Sequence, residues 1–153
     1  TLNIKERGEL TIAGDDFKFV PWSSDTSVGK IQVIQYFGAT LGDRDTFAPF
    51  TDLLQTSFAP GTVHVTTVLN LDAALWGTTG MVVSELKKNQ TAHPDATMVL
   101  DDEGSGVDTW ELGKDGTGLM VVNKQGIVKF FSREALGEAQ LKSTIELIRA
   151  NLD

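Results

Sequence analysis

The sequence predicts an α/β domain: a central mixed sheet flanked by helices, with an accessory hairpin at the N-terminus. Three observations carry this. Residues 31 to 37 form a nearly continuous apolar stretch, the pattern of a strand covered on both faces. Phe47, Phe50, Leu54 and Phe58 then recur at near-helical spacing, and a Val/Thr-rich segment from Thr62 to Leu71 follows, which together make a βαβ unit. Near the C-terminus, two apolar arms enclose Asn123-Lys124-Gln125-Gly126, a type I turn with glycine in the left-handed conformation, which specifies a hairpin.

The elements follow in chain order. Leu10 and Ile12 in one arm, and Phe17, Phe19 and Pro21-Trp22 in the other, alternate about the turn Ala13-Gly14-Asp15-Asp16, giving an edge hairpin. The strand at residues 31 to 37 belongs in the centre of the sheet. The next helix is expected to begin near Asp43 or Asp45, either of which can cap free N–H groups, with Pro49 in or just past its first turn. Gly61 closes that unit. A second helix is expected between Ala73 and Thr91, carrying Met81, Val82 and Leu86 and stopped by Pro94. Residues 96 to 100 read as a strand, residues 101 to 106 as a turn, and residues 107 to 112 as an extended or short helical connector around Trp110. The last helix, about residues 137 to 151, places Leu141, Ile145, Ile148 and Leu152 on one face and Lys142, Glu146 and Arg149 away from it.

The 153 residues, 41% of them hydrophobic, suffice for one domain spanning residues 1–153. A chain of this size buries about 70% of its unfolded surface. The formal charge of −8 opposes phosphate backbones and anionic membrane surfaces, so nucleic acid is not an expected partner. No apolar run approaches the roughly 18 residues that would signal a membrane span, so no membrane insertion is expected. The absence of cysteine removes thiolate catalysis, disulfides and Cys-ligated metals together. The chain starts at Thr1, as it would after removal of a signal peptide, and equally after an engineered truncation.

Between Tyr36-Phe37 and Ala48-Pro49 the spacing resembles that of thioredoxins without a gap. In that resemblance Leu41-Gly42-Asp43-Arg44 stands where Cys-x-x-Cys would. The segment from Thr117 to Gly126 resembles the cis-proline loop and hairpin of peroxiredoxin-like and TlpA-like members, with Thr117 at the proline position. A cis bond before a non-proline residue costs about 2.5–4 kcal/mol, so a trans bond is expected there. Arg7-Gly8-Glu9-Leu10, Trp22-Ser23, Gly29-Lys30, Gly80-Met81 with Val83, Asp108-x-Trp110-x-Leu112 and the closing hairpin jointly resemble the YtfJ family of Gram-negative bacteria, over nearly the whole chain. The resemblance implies a thioredoxin-like fold and export to the periplasm, and carries no functional residues over. Some labels in that family say transcriptional regulator. An acidic domain without a helix-turn-helix argues against it.

Other groups read as structural. His64, inside a strand, and His93, beside Pro94, lack the three or four convergent ligands of a metal site, and no metal or cofactor is expected. Asp101, Asp102, Glu103 and Asp108 gather oxygens around glycines but do not follow a calcium-loop pattern, and read as an acidic turn. Ser23, Ser24 and Ser84 have no matching His and acid, and residues 113 to 118 lack the strand-then-helix context of a phosphate loop. Trp22 and Trp110 are expected to pack in the core or at its edge, and Trp76, between a strand end and Gly77, is expected to be the most exposed of the three.

The expected function is that of a non-catalytic protein, peptide or small-ligand binding module, neither a thiol–disulfide oxidoreductase nor a peroxidase. Its expected site is Thr40, Leu41, Gly42, Asp43, Arg44 and Thr117, where the loop before the first helix faces the loop before the hairpin. The alternative is a cysteine-independent enzyme using the Asp43/Arg44 loop, in which a helix N-terminus and an arginine fork would receive an anion.

Overall fold

In the computed structural model, residues 1–25, 29–40, 43, 45–74 and 77–152 are described. Seven strands form one mixed sheet in the order β2-β1-β5-β4-β3-β6-β7. The strands are β1 (Asn3–Ala13), β2 (Asp16–Ser23), β3 (Ile31–Gly38), β4 (Val63–Asn70), β5 (Thr97–Asp101), β6 (Gly118–Val122) and β7 (Val128–Ser132). The helices are α1 (Ala48–Ser57), α2 (Thr79–Ala92), a single short turn α3 (Ser105–Thr109), and α4 (Glu138–Ala150).

The apolar run 31 to 37 becomes β3, paired in parallel with β4 and antiparallel with β6, and buried along almost its whole length. Alternation sends its residues to two cores. Ile31, Val33 and Phe37 point to the face covered by α1 and α4, where they meet Phe47, Phe50, Leu54, Leu119, Val121, Ile145 and Ile148. Ile34 and Tyr36 point to the other face and meet Val68, Val99, Leu112 and Met120. Each such side chain stabilises the fold by about 1.5–3 kcal/mol when fully buried.

The N-terminal ribbon reaches both faces because it is broken by a bulge. The β1–β2 register shifts between Ile4 and Glu9, and Arg7 and Gly8 there have φ of 59° and 83°. A Cβ on Gly8 would stand 2.2 Å from the Val20 carbonyl oxygen, so only glycine fits. Leu2, Ile4 and Trp22 consequently cover the β3/β4 core on one face, while Leu10 packs with Leu86, Met98 and Leu100 on the other. β1 also pairs with β5, so it is an inner strand and β2 alone forms that edge.

Boundaries differ from the sequence expectation at two helices. α1 starts at Ala48, with Phe47 at the N-cap position and no side-chain cap; Asp43 and Asp45 instead offer backbone carbonyls to Thr46 N at 3.1 Å and Ala48 N at 3.2 Å, forming turns that lead into the helix. The buried Phe47 sets this start: its ring belongs to the core, and packing overrides capping preference. α2 starts at Thr79, after a 3-10 turn over Leu71–Ala73 capped by the Asn70 side chain. Pro49 falls in the first turn of α1, as expected. The hairpin also forms as expected, with Gly126 at φ 83° and its N–H donating to the Asn123 carbonyl at 3.0 Å.

Candidate functional site

α1 packs against α4, whereas α2 packs against β1 and β5, so the two helices stand on either side of β4. The strand between them is left partly bare. Val63, Val65 and Leu69 lie on the same side of the sheet as α1 and α2, and all three remain half-buried although β4 is central in the sheet. The result is a cleft of about 1060 Å³ with these side chains as its floor. Leu54 and Phe58 form the α1 wall; Val82, Leu86 and the 71% exposed Met81 form the α2 wall. Cavities that hold drug-sized ligands occupy about 300–1,000 Å³, so this cleft stands at the upper end of that range.

The loop joining β3 to α1 closes one end of the cleft. Ala39 N donates to the Asn70 carbonyl at 3.0 Å, Asp43 N donates to Thr40 Oγ1 at 3.2 Å, and Thr46 Oγ1 donates to the Asp43 carbonyl at 2.8 Å. These bonds hold Thr40 at the lining, with Asp45 beside it. The Asp43 carboxylate lies over Gly38, with Oδ2 2.7 Å from the place a Cβ would take.

The pre-hairpin residue of the expected site, Thr117, does not line this cleft. Thr117 is buried, its bond to Gly116 is trans, and its hydroxyl donates to the Arg133 carbonyl at 2.6 Å. Gly118 is also enclosed, since a Cβ there would meet Leu112 Cδ2 at 2.7 Å. Only Gly116 reaches a cavity, of about 320 Å³, which it shares with Gly38, Asn70, Asp72, Asp108 and Asp115. The end of β3 and the pre-hairpin loop thus meet, but Thr40 lines the large cleft and Thr117 lines neither space. Leu41, Gly42, Arg44 and Trp76 fall outside the described residues.

Asp101, Asp102, His64, Trp22 and Trp110 are tied into the fold. Asp101 is 1% exposed and its Oδ2 accepts from Tyr36 Oη at 2.7 Å and Gly106 N at 2.8 Å, which ties α3 to the sheet. Burial first, then the Asp101 carboxylate, pushes the Tyr36 phenol far above its ordinary range. Asp102 pairs with Arg7 at 3.1 Å. His64 Nε2 lies 2.8 Å from Thr97 Oγ1, and half-burial lowers its pKa, with Lys30 adding to the effect and Asp95 opposing it. Trp22 is buried, and Trp110 stands edge-on to Tyr36 with ring centroids 6.0 Å apart. Among the described residues, no group of three or more His, Asp or Glu is placed to hold a metal ion. Nor is any helix among them long and apolar enough to cross a membrane.

The family model described as "Bacterial protein of unknown function (YtfJ_HI0045)" matches residues 1–151. The chain belongs to the YtfJ family. An uncharacterized protein of Haemophilus influenzae is 28% identical to this YtfJ-family chain, and the YtfJ protein of Escherichia coli is 26% identical; each match covers 97% of this chain and 81% of the relative. Among solved structures, a thiol-disulfide isomerase from Corynebacterium glutamicum superposes with a TM-score of 0.68 at 12% identity, covering 99% of this chain and 95% of that one. A DsbE-like thiol:disulfide interchange protein from Chlorobium tepidum gives 0.60 at 16% identity, covering 99% and 97%. A secreted Mycobacterium tuberculosis disulfide oxidoreductase gives 0.55 at 15%, covering 86% and 90%. At these identities the likeness is one of fold: the domain is thioredoxin-like, and it holds no cysteine.

Proposed function

We propose that this YtfJ-family domain is a non-catalytic binding module that seats an apolar ligand in the cleft between α1 and α2. The observation that supports it is the half-bare floor of β4. On one face of β4, a central strand of a thioredoxin-like sheet, Val63, Val65 and Leu69, with Thr67 between the last two, line the cleft and are only partly covered by the neighbouring core clusters among the described residues. Each half-exposed Val or Leu forgoes about 1 kcal/mol of burial, which a ligand laid on the floor would recover. Thr40 and Asp45, which line the cleft end, would meet polar parts of that ligand, and Leu41, Gly42, Asp43 and Arg44 of the same loop belong to the proposal by their position in the sequence. Thr117 supports the adjoining loop by its bond to Arg133.

N-phenyl-1-naphthylamine, a neutral apolar dye whose emission rises in apolar surroundings, tests the reading. Emission should rise with the native domain and stay near background with Val65→Trp, which fills the middle of the floor. Equal enhancement by both proteins, or none by either, would reject the cleft as the binding site.

The same proposal assigns the domain to the periplasm. Support comes from a Dsb-type fold, shared with a protein described as secreted. Osmotic-shock fractionation of cells expressing the complete gene should release the protein with periplasmic markers; retention with cytoplasmic markers would refute the assignment.

A further inference from the structure

Among the described residues, the charged side chains that line the cleft are carboxylates. Asp52 on α1, Glu85 on α2 and Asp95 after α2 line it from opposite walls, and no lysine or arginine is among the described lining residues. Described cations stand near the walls, and Lys30 is close enough to act on His64 alongside Asp95. Lys88 reaches Glu85 from outside at 3.6 Å, with both side chains more than half exposed, and the Arg149 guanidinium lies 5.6 Å from the centre of the Phe58 ring. An exposed pair of this kind holds its partners weakly and leaves the rim negative.

The floor also has a length. Val63 to Leu69 spans roughly 20 Å at the rise of a strand, and an α-helix covers that distance with about 13 residues. On this face α4, α1 and α2 lie against the sheet, and the cleft runs over β4 between α1 and α2, with Leu69 touching the clusters on both sides.

We infer that the cleft takes a basic amphipathic helix from a partner protein, laid over β4 with apolar side chains down and lysines or arginines toward Asp52, Glu85 and Asp95. The inference rests on the binding-module reading and specifies its ligand. The floor selects residues at helical spacing, as helix-in-groove sites do. The rim selects cations over neutral or acidic helices by charge complementarity.

The test is fluorescence anisotropy at about 50 mM salt, where exposed charges are incompletely screened. The probes are labelled peptides of about 14 residues with leucine at i, i+3, i+4 and i+7 and either lysine or glutamine elsewhere. The Leu/Lys peptide should bind about tenfold tighter than the Leu/Gln peptide. Asp52→Asn with Asp95→Asn should remove most of that advantage. Asp108→Asn with Asp115→Asn, on the small cavity and with the same change in net charge, should change it less than about twofold. Val65→Trp should abolish binding of both peptides, and Met81→Ser, at an exposed wall position, should weaken both without threatening the fold. Equal loss in the two charge variants would show attraction to net charge alone and overturn the inference. Leu/Gln binding as tight as Leu/Lys, both still sensitive to Val65→Trp, would overturn it while leaving the binding-module reading intact. Insensitivity of both peptides to Val65→Trp would overturn the two together.

Discussion

The hydroxyl of Tyr36 donates a buried 2.7 Å hydrogen bond to Asp101 between the sheet and α3. Tyr36→Phe leaves the buried Asp101 carboxylate with one fewer donor and should lower stability by about 1–3 kcal/mol in urea unfolding. Gly106→Ala should be at least as damaging, because its Cβ would sit 2.3 Å from the Tyr36 ring. Wild-type stability in either variant would mean that α3 does not depend on this contact. His64 gives a pH signature. Its lowered pKa means that the fold prefers the neutral ring, so its contribution is full above the unfolded value of about 6.5 and is lost as pH falls through the lower folded value. Removing it with His64→Gln should flatten the decline in stability below that pH; parallel declines for both proteins would show that another group causes it. Sequence could assign His64 to a strand, but it could not show that Thr97 comes within reach, because that depends on the β4–β5 register, which pairs Thr97 with Thr66, two residues along from His64.

At the level of elements, alternation and helical spacing were sufficient wherever one side of a segment faces the core. The β3 run, the β6–β7 hairpin and the Ile145/Ile148 stripe of α4 were legible for that reason. Helix starts were not, since Phe47 and the Leu71–Ala73 turn answer to packing that no local signal announces. α4 offers a direct test of the capping rules. Gly137 occupies its N-cap with its N–H donating to Gln140 Oε1 at 3.2 Å, and nothing lies within 4 Å of a Cβ placed there. Gly137→Ser should complete a reciprocal cap and stabilise the fold by a few tenths of a kcal/mol. A loss of stability would indicate that the entry to α4 needs glycine.

For the whole molecule, the sheet order decides which parts of the expected loops reach a cavity. The spacing from Tyr36 to Pro49 located the β3–α1 loop, and that loop does end at a cavity. The cleft itself depends on how far α2 stands from α1, a distance set by β1 and β5 pulling α2 outward, and this leaves no mark in either helix's own sequence. Two consequences follow from composition. With no thiol, the domain should not reduce insulin disulfides. At a charge of −8 it should not shift DNA in gels at physiological salt, and a specific shift would contradict the electrostatic reasoning.

The most direct measurement of the cleft as a binding site is a ¹H–¹⁵N correlation spectrum of the domain titrated with N-phenyl-1-naphthylamine. Shift changes should concentrate at Val63, Val65 and Leu69, at Phe58, and at Met81 and Val82, with Gly116 to Gly118 unaffected. Changes confined to the pre-hairpin loop, or no saturable change anywhere, would contradict it.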